Sequence, residues 1–113
     1  SAAIADRLRQ EVLQGQWSPG ETINDGMLAT RYGVQRAPVR EAMQQLSQEG
    51  LLCACTPHGM TLASPSPAQI AEAQELQALL QHYLNQHQAV DDGLAQRMLT
   101  MASQRMQLAA LHA

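Results

Sequence analysis

A chain of 113 residues, 45% of them hydrophobic, is long enough for a small cored domain with an appendage and too apolar for a disordered segment. Its apolar runs are only a few residues long, which excludes a membrane-spanning helix, and residues 1–14 carry helical spacing in place of a secretory leader. The net charge is −3 and lysine is absent, so non-specific attraction to polyanions is weak; yet three of the seven arginines, Arg31, Arg36 and Arg40, fall within ten residues.

Ile4, Leu8, Val12 and Leu13 predict a first amphipathic helix that ends at Gly15. Trp17-Ser18-Pro19-Gly20 reads as a turn with Pro-Gly at its centre. Asn24 is placed to cap a second, short helix that carries Met27, Leu28 and Ala29 and stops at Tyr32-Gly33. A third helix starts near Gln35 or Arg36, with Pro38 tolerated in its first turn, and runs to Glu49-Gly50. Its inward stripe is Val39, Ala42, Met43 and Leu46, while Arg36, Arg40, Gln44 and Ser47 share another face. Short helix, glycine turn and arginine-bearing helix in this order is helix-turn-helix organisation.

Leu51–Cys55 predicts a strand, Thr56-Pro57-His58-Gly59 a turn and Met60–Leu62 a return strand, so a small hairpin follows the third helix where a wing belongs. Ser64-Pro65-Ser66-Pro67 is a stiff linker, and Ser66 with Gln69 fits a capping box ahead of Pro67. The next helix is expected to gather Ile70, Ala73, Leu76, Leu79, Leu80, Tyr83 and Leu84 on one broad face. Asp91-Asp92-Gly93 breaks it, and Leu94, Met98, Met101, Leu108 and Leu111 stripe a last helix. The fold class is therefore mainly α with a small β-hairpin wing: a winged helix-turn-helix over 1–63, a linker at 64–67 and a helical tail at 68–113 that supplies a dimer interface.

Cys53 and Cys55 lie one residue apart, point the same way on a regular strand, and are poorly placed for an ordinary disulfide. Packing as small hydrophobes in a reducing cytoplasm is the simpler reading. Cys53, Cys55 and His58 also form a set of soft ligands, but no fourth ligand stands at a convincing spacing. No cofactor motif, nucleophile motif, catalytic carboxylate pair or phosphate-binding glycine loop is present, so no enzyme is expected.

Pro19-Gly20, Leu28-Ala29, Gly33-Val34, Arg36-Ala37-Pro38-Val39-Arg40-Glu41-Ala42 and Glu49-Gly50-Leu51 together resemble the GntR family of bacterial repressors over about residues 4–63. Within it, the Pro-Val-Arg-Glu-Ala segment is most similar to the FadR-like subgroup, whose C-terminal domain is a helical effector-binding bundle. The resemblance implies a cytoplasmic transcription regulator that binds double-stranded DNA as a homodimer on a pseudo-palindromic operator. There are departures: Gln35 and Ala37 stand where Ser and Thr are common, Gly26 where many members carry a longer side chain, and His58-Gly59 where the wing often has Arg-Gly.

Arg36 and Arg40 are the expected contacts to guanine edges or phosphates. Ala37 either touches a thymine methyl or lets the helix approach closely. Arg31 is open between DNA contact and a surface role, and Gln35 between a polar DNA contact and a weak helix cap. His58 and Gly59 form the wing tip, where a small residue and a ring donor suit the minor groove. The alternative is a winged helix used for protein association without DNA binding, which the acidic balance favours and the arginine face opposes.

Overall fold

A computed structural model describes residues 2–56, 59–87 and 93–112; the side chains of residues 55 and 56 are also outside the description. The elements in chain order are α1 (Ala2–Leu13), α2 (Asp25–Tyr32), α3 (Arg36–Gln48), β1 (Leu52–Thr56), β2 (Gly59–Leu62), α4 (Pro67–Gln86) and α5 (Gly93–Leu111). They fall into two compact units, one ending at Ala63 and a second over Ser64–Leu111. Among the described residues no helix is long and apolar enough to cross a membrane.

In the first unit α1 buries Ala5, Leu8 and Val12, spaced three and four apart. Ile4 and Leu13, expected on that stripe, are only half-buried because they flank the line through 5, 8 and 12. Gly15 takes a positive φ of 78° as the chain leaves the helix. The next turn is set by Pro19 and by Gly20 at φ 86°, closed by the Glu21 N–H donating to the Ser18 carbonyl at 3.0 Å. Proline followed by a left-handed glycine is the chemistry of a type II turn. Trp17, expected in the turn, is buried.

Helix α2 begins at Asn24, whose side chain accepts from the Met27 N–H at 2.7 Å, and ends at Gly33 in the left-handed region. Helix α3 follows after Val34 and Gln35 and packs against α1, α2 and β1. Its buried residues are Val39, Ala42, Met43 and Leu46, the inward stripe expected from the sequence. With Leu8, Ile23, Leu28 and Leu51 they make the core, and each such large side chain contributes roughly 1.5–3 kcal/mol on burial. The hairpin pairs Leu52 with Leu62 and Cys53 with Thr61 in antiparallel register, and Leu52 and Leu62 close the core from below.

Cys53 is disulfide-bonded, contrary to the reading of both cysteines as free packing residues. That reading assumed strict two-residue alternation, and the strand register shifts between Cys53 and Thr56. The rest of the expected ligand set, the Cys55 side chain and His58, lies outside the described residues.

In the second unit Ser66 and Gln69 form the capping box, with Pro67 opening α4. Helices α4 and α5 pack on one another. The most buried side chains are Ala73 of α4 and Ala95, Ala102 and Leu108 of α5, and Gln77 donates to Ser103 at 3.2 Å. The expected stripes are therefore only partly right. Leu79 is 63% exposed, Leu94 61% and Met101 55%, and Tyr83 and Met98 are exposed with them. On α5 the buried Ala95 and Ala102 share one line, and Leu94, Met98 and Met101 sit on a neighbouring face, of which Leu108, at heptad spacing from Met101, is the buried member. Alanine removes little area from water, yet it lets two helix backbones approach closely.

Candidate nucleic-acid interface

The arginines sit where the local chemistry places them. Gln35 occupies the N-cap position of α3, but its side chain makes no capping bond, so the expectation of a weak cap is met in position and not in function. From that start, Arg36, Ala37 and Arg40 fall outside the buried Val39/Ala42/Met43/Leu46 stripe of α3, and all three are exposed. The side chains of Arg36 and Arg40 are 65% and 60% accessible.

These two arginines are brought together by a residue the sequence reading did not single out. Asp25, the first residue of α2, accepts from Arg36 Nη2 at its Oδ1 (3.1 Å) and from Arg40 Nε at its Oδ2 (3.0 Å). The bond from Arg36, reinforced by Arg40, holds the Asp25 carboxyl below the usual carboxylate range. Gly26, also at the start of α2, lies under Arg36: a Cβ added there would stand 3.7 Å from the guanidinium carbon, in ordinary contact. The only sequence signal for Asp25 was its place after the Asn24 cap, where an acid suits the helix dipole. Its partners are 11 and 15 residues away and need the tertiary fold to find them.

Arg31 is placed apart from this pair. It stands six residues along α2 from Asp25, about 9 Å at helical rise, and its guanidinium lies over the Trp17 ring at 5.0 Å. Around the same end of α2 a buried acid forms a second network that sequence reading missed. Glu11, 8% exposed, accepts from the Tyr32 hydroxyl at 2.9 Å and from Trp17 Nε1 at 3.4 Å and pairs with Arg7, which also covers the Tyr32 ring at 4.1 Å. Burial and the bond to Glu11 push the Tyr32 hydroxyl well above its ordinary range, so it remains a donor.

Gly59 answers to a close approach within the chain. An added Cβ would meet the Ile23 carbonyl oxygen at 2.5 Å, because Ile23 and Met60 exchange backbone hydrogen bonds of 2.7 and 2.8 Å at the base of the wing. His58, the other wing-tip candidate, lies outside the described residues.

Comparison with known proteins returns transcription regulators of one family. The family model "Bacterial regulatory proteins, gntR family" matches residues 1–61. The chain is 34% identical over 76 residues to the uncharacterized HTH-type transcriptional regulator YdhC of Bacillus subtilis (strain 168), covering 67% of this chain and 34% of that protein. It is 38% identical over 50 residues, 43% of this chain and 21% of that protein, to the mannosyl-D-glycerate transport/metabolism system repressor MngR of Escherichia coli (strain K12). The chain thus spans about a third of the length of the first curated relatives it matches. Among solved structures, a GntR transcriptional regulator from Rhodococcus sp. RHA1 superposes with a TM-score of 0.69 at 21% identity, covering 98% of this chain and 63% of that one. With more than half of its residues matched by the family model and this fold, the chain belongs to the gntR family of bacterial regulatory proteins.

Proposed function

We propose that this chain binds double-stranded DNA as a dimer and represses transcription, with α3 as the helix that enters the major groove. The observation that carries the reading is the pair Arg36 and Arg40, one helical turn apart on the exposed face of α3 and held together by Asp25. Arginine suits guanine O6 and N7 and backbone phosphates alike. Gln35 and Ala37 border the pair at the helix start, as groove contacts in the same surface. The wing tip at His58-Gly59 adds a minor-groove or phosphate contact, and Arg31 a peripheral one. Repression is supported by the description of MngR, a relative, as a repressor.

Dimerisation rests on the second unit. Leu79, Tyr83, Leu94, Met98 and Met101 form exposed apolar surface on α4 and α5 that a second copy would cover. Two-fold symmetry then presents two α3 helices to half-sites about one helical turn apart, hence a pseudo-palindromic operator. A regulator of this kind acts in the cytoplasm, where its DNA is. Selection of bound duplexes from fragmented genomic DNA tests the reading: a recurrent inverted repeat is expected, and enrichment of nothing would overturn it. In that event the exposed Met27 and Val34 would favour the protein-association alternative.

A further inference from the structure

We propose that Asp25 is a positioning residue for DNA recognition, which assigns Arg40 to reading a guanine and Arg36 to a backbone phosphate. The inference rests on the DNA-binding reading above and adds a division of labour to it. A guanidinium reads guanine end-on through its two terminal nitrogens, which must both be directed at the base. Asp25 engages Arg40 at Nε and so leaves the Nη1–Nη2 edge outside that bond, while a charge-assisted hydrogen bond fixes the plane of the group. Arg36 is engaged at Nη2 itself, so its terminal edge is shared with the carboxylate. Its other N–H groups still suit a phosphate oxygen, whereas end-on pairing with guanine would ask the bonded Nη2 to serve the carboxylate and the base together.

The carboxylate also subtracts charge. The three groups together carry +1 where two arginines alone would carry +2. In a chain without lysine, this lowers attraction to phosphates of any sequence. Asp25 therefore raises discrimination in two ways: it aims Arg40, and it weakens non-specific binding. Gly26 leaves room for the arrangement, since the space over Asn24 and Arg36 that a longer side chain would enter is occupied by the Arg36 guanidinium.

The test is selection from a randomised duplex library by the full chain and by Asp25→Asn, Arg36→Ala and Arg40→Ala, followed by anisotropy titration of the enriched duplex and of its guanine-to-adenine versions. Circular dichroism melting checks each fold, and Asp25→Ser replaces Asp25→Asn should the latter fail it. The wild type is expected to enrich a motif containing a fixed guanine. D25N is expected to lose roughly tenfold of the preference for that guanine, within the range a bidentate contact provides. Its affinity for random duplex should rise, and its log–log salt slope should steepen by up to about 0.9, one further phosphate neutralised. R40A should lose the guanine preference, and R36A should weaken all duplexes alike. Enrichment of the same motif by D25N with undiminished preference would overturn the proposal and leave DNA binding standing. So would loss of the guanine preference in R36A but not in R40A. If the wild type enriches nothing, both this inference and the DNA-binding reading fall.

Discussion

Replacing Glu11 by alanine should destabilise the first unit, and the structure supplies the magnitude. The carboxylate is the acceptor for the Tyr32 hydroxyl at 2.9 Å and for the buried Trp17 Nε1 at 3.4 Å. A hydrogen bond to a charged acceptor contributes about 1.5–3 kcal/mol, and the longer bond from Trp17 contributes less. The Arg7 side chain is mostly exposed, so its ion pair with Glu11 adds little. Removing the carboxylate also relieves the cost of burying it, which offsets part of the loss. The net expectation for Glu11→Ala is about 2 kcal/mol. For a unit of this size that corresponds to a fall in Tm of about 8–16 °C.

Glu11→Gln separates the acceptor from the charge. It keeps an oxygen for Tyr32 and Trp17 and should cost less than about 1 kcal/mol. Thermal unfolding of the full chain followed by circular dichroism reads both variants, and Tyr32→Phe with the double variant closes a cycle. Coupling of at least 0.5 kcal/mol is expected between residues sharing this bond. If Glu11→Ala melts within about 2 °C of the wild type, or if the two single changes simply add, the network holds nothing together and the reasoning is wrong.

Gly59→Ala should distort the wing, because its Cβ would meet the backbone oxygen of Ile23 at 2.5 Å; a loss of about 1–3 kcal/mol in denaturant unfolding is expected. Gly26→Ala should do the reverse, adding up to about 1 kcal/mol of helix stability, since its added Cβ meets only ordinary contacts. For Asp25 the depressed carboxyl makes the sign definite: its stabilisation is complete above the ordinary value of 3.8 and is lost as pH falls through the lower folded value. The difference in Tm between wild type and Asp25→Asn should therefore be flat near neutrality and shrink only in acid below that ordinary value. Leu79→Glu and Met101→Glu place charges on the exposed faces of α4 and α5 and should shift sedimentation towards monomer; two variants as dimeric as the wild type would locate the interface elsewhere.

The sequence carried the first unit well because its signals are local. Asn24 and Gly33 bracket α2 with cap chemistry, Pro19-Gly20 dictates a turn, and the α3 stripe repeats at helical spacing, so each could be read without knowing its neighbours. Glu11, Asp25 and the Ile23–Met60 bridge were not legible for the opposite reason. Each depends on partners brought together only by the fold: Tyr32 lies 21 residues from Glu11, and Arg40 lies 15 from Asp25. In the second unit the expected α4 face holds the buried Ala73 and the half-buried Ile70, Leu76, Leu80 and Leu84, but also the exposed Leu79 and Tyr83, and on α5 the buried Ala95 and Ala102 fall outside the expected stripe, since alanines carry little hydrophobic signal. Gly59 stands out in the sequence as a wing-tip glycine, but the Ile23 carbonyl that leaves no room for a Cβ there comes from 36 residues away and is not legible.

Glu11 and Asp25 act at opposite ends of α2, one through Tyr32 and the other as its first residue, and that explains why so short a helix matters. Tyr32, its last residue, is tied through Glu11 to α1; Asp25, its first, holds the arginines of α3. Only Leu28 and Ala29 of α2 are buried, too little apolar area to fix the helix firmly by packing alone. Directional bonds at each end supply what the core does not: the Glu11 end sets where α2 lies on α1, and the Asp25 end converts that position into the orientation of Arg36 and Arg40. A defect at Glu11 should therefore reach the arginine pair through α2, although Glu11 touches neither arginine. The core stripe of α3 would be left intact.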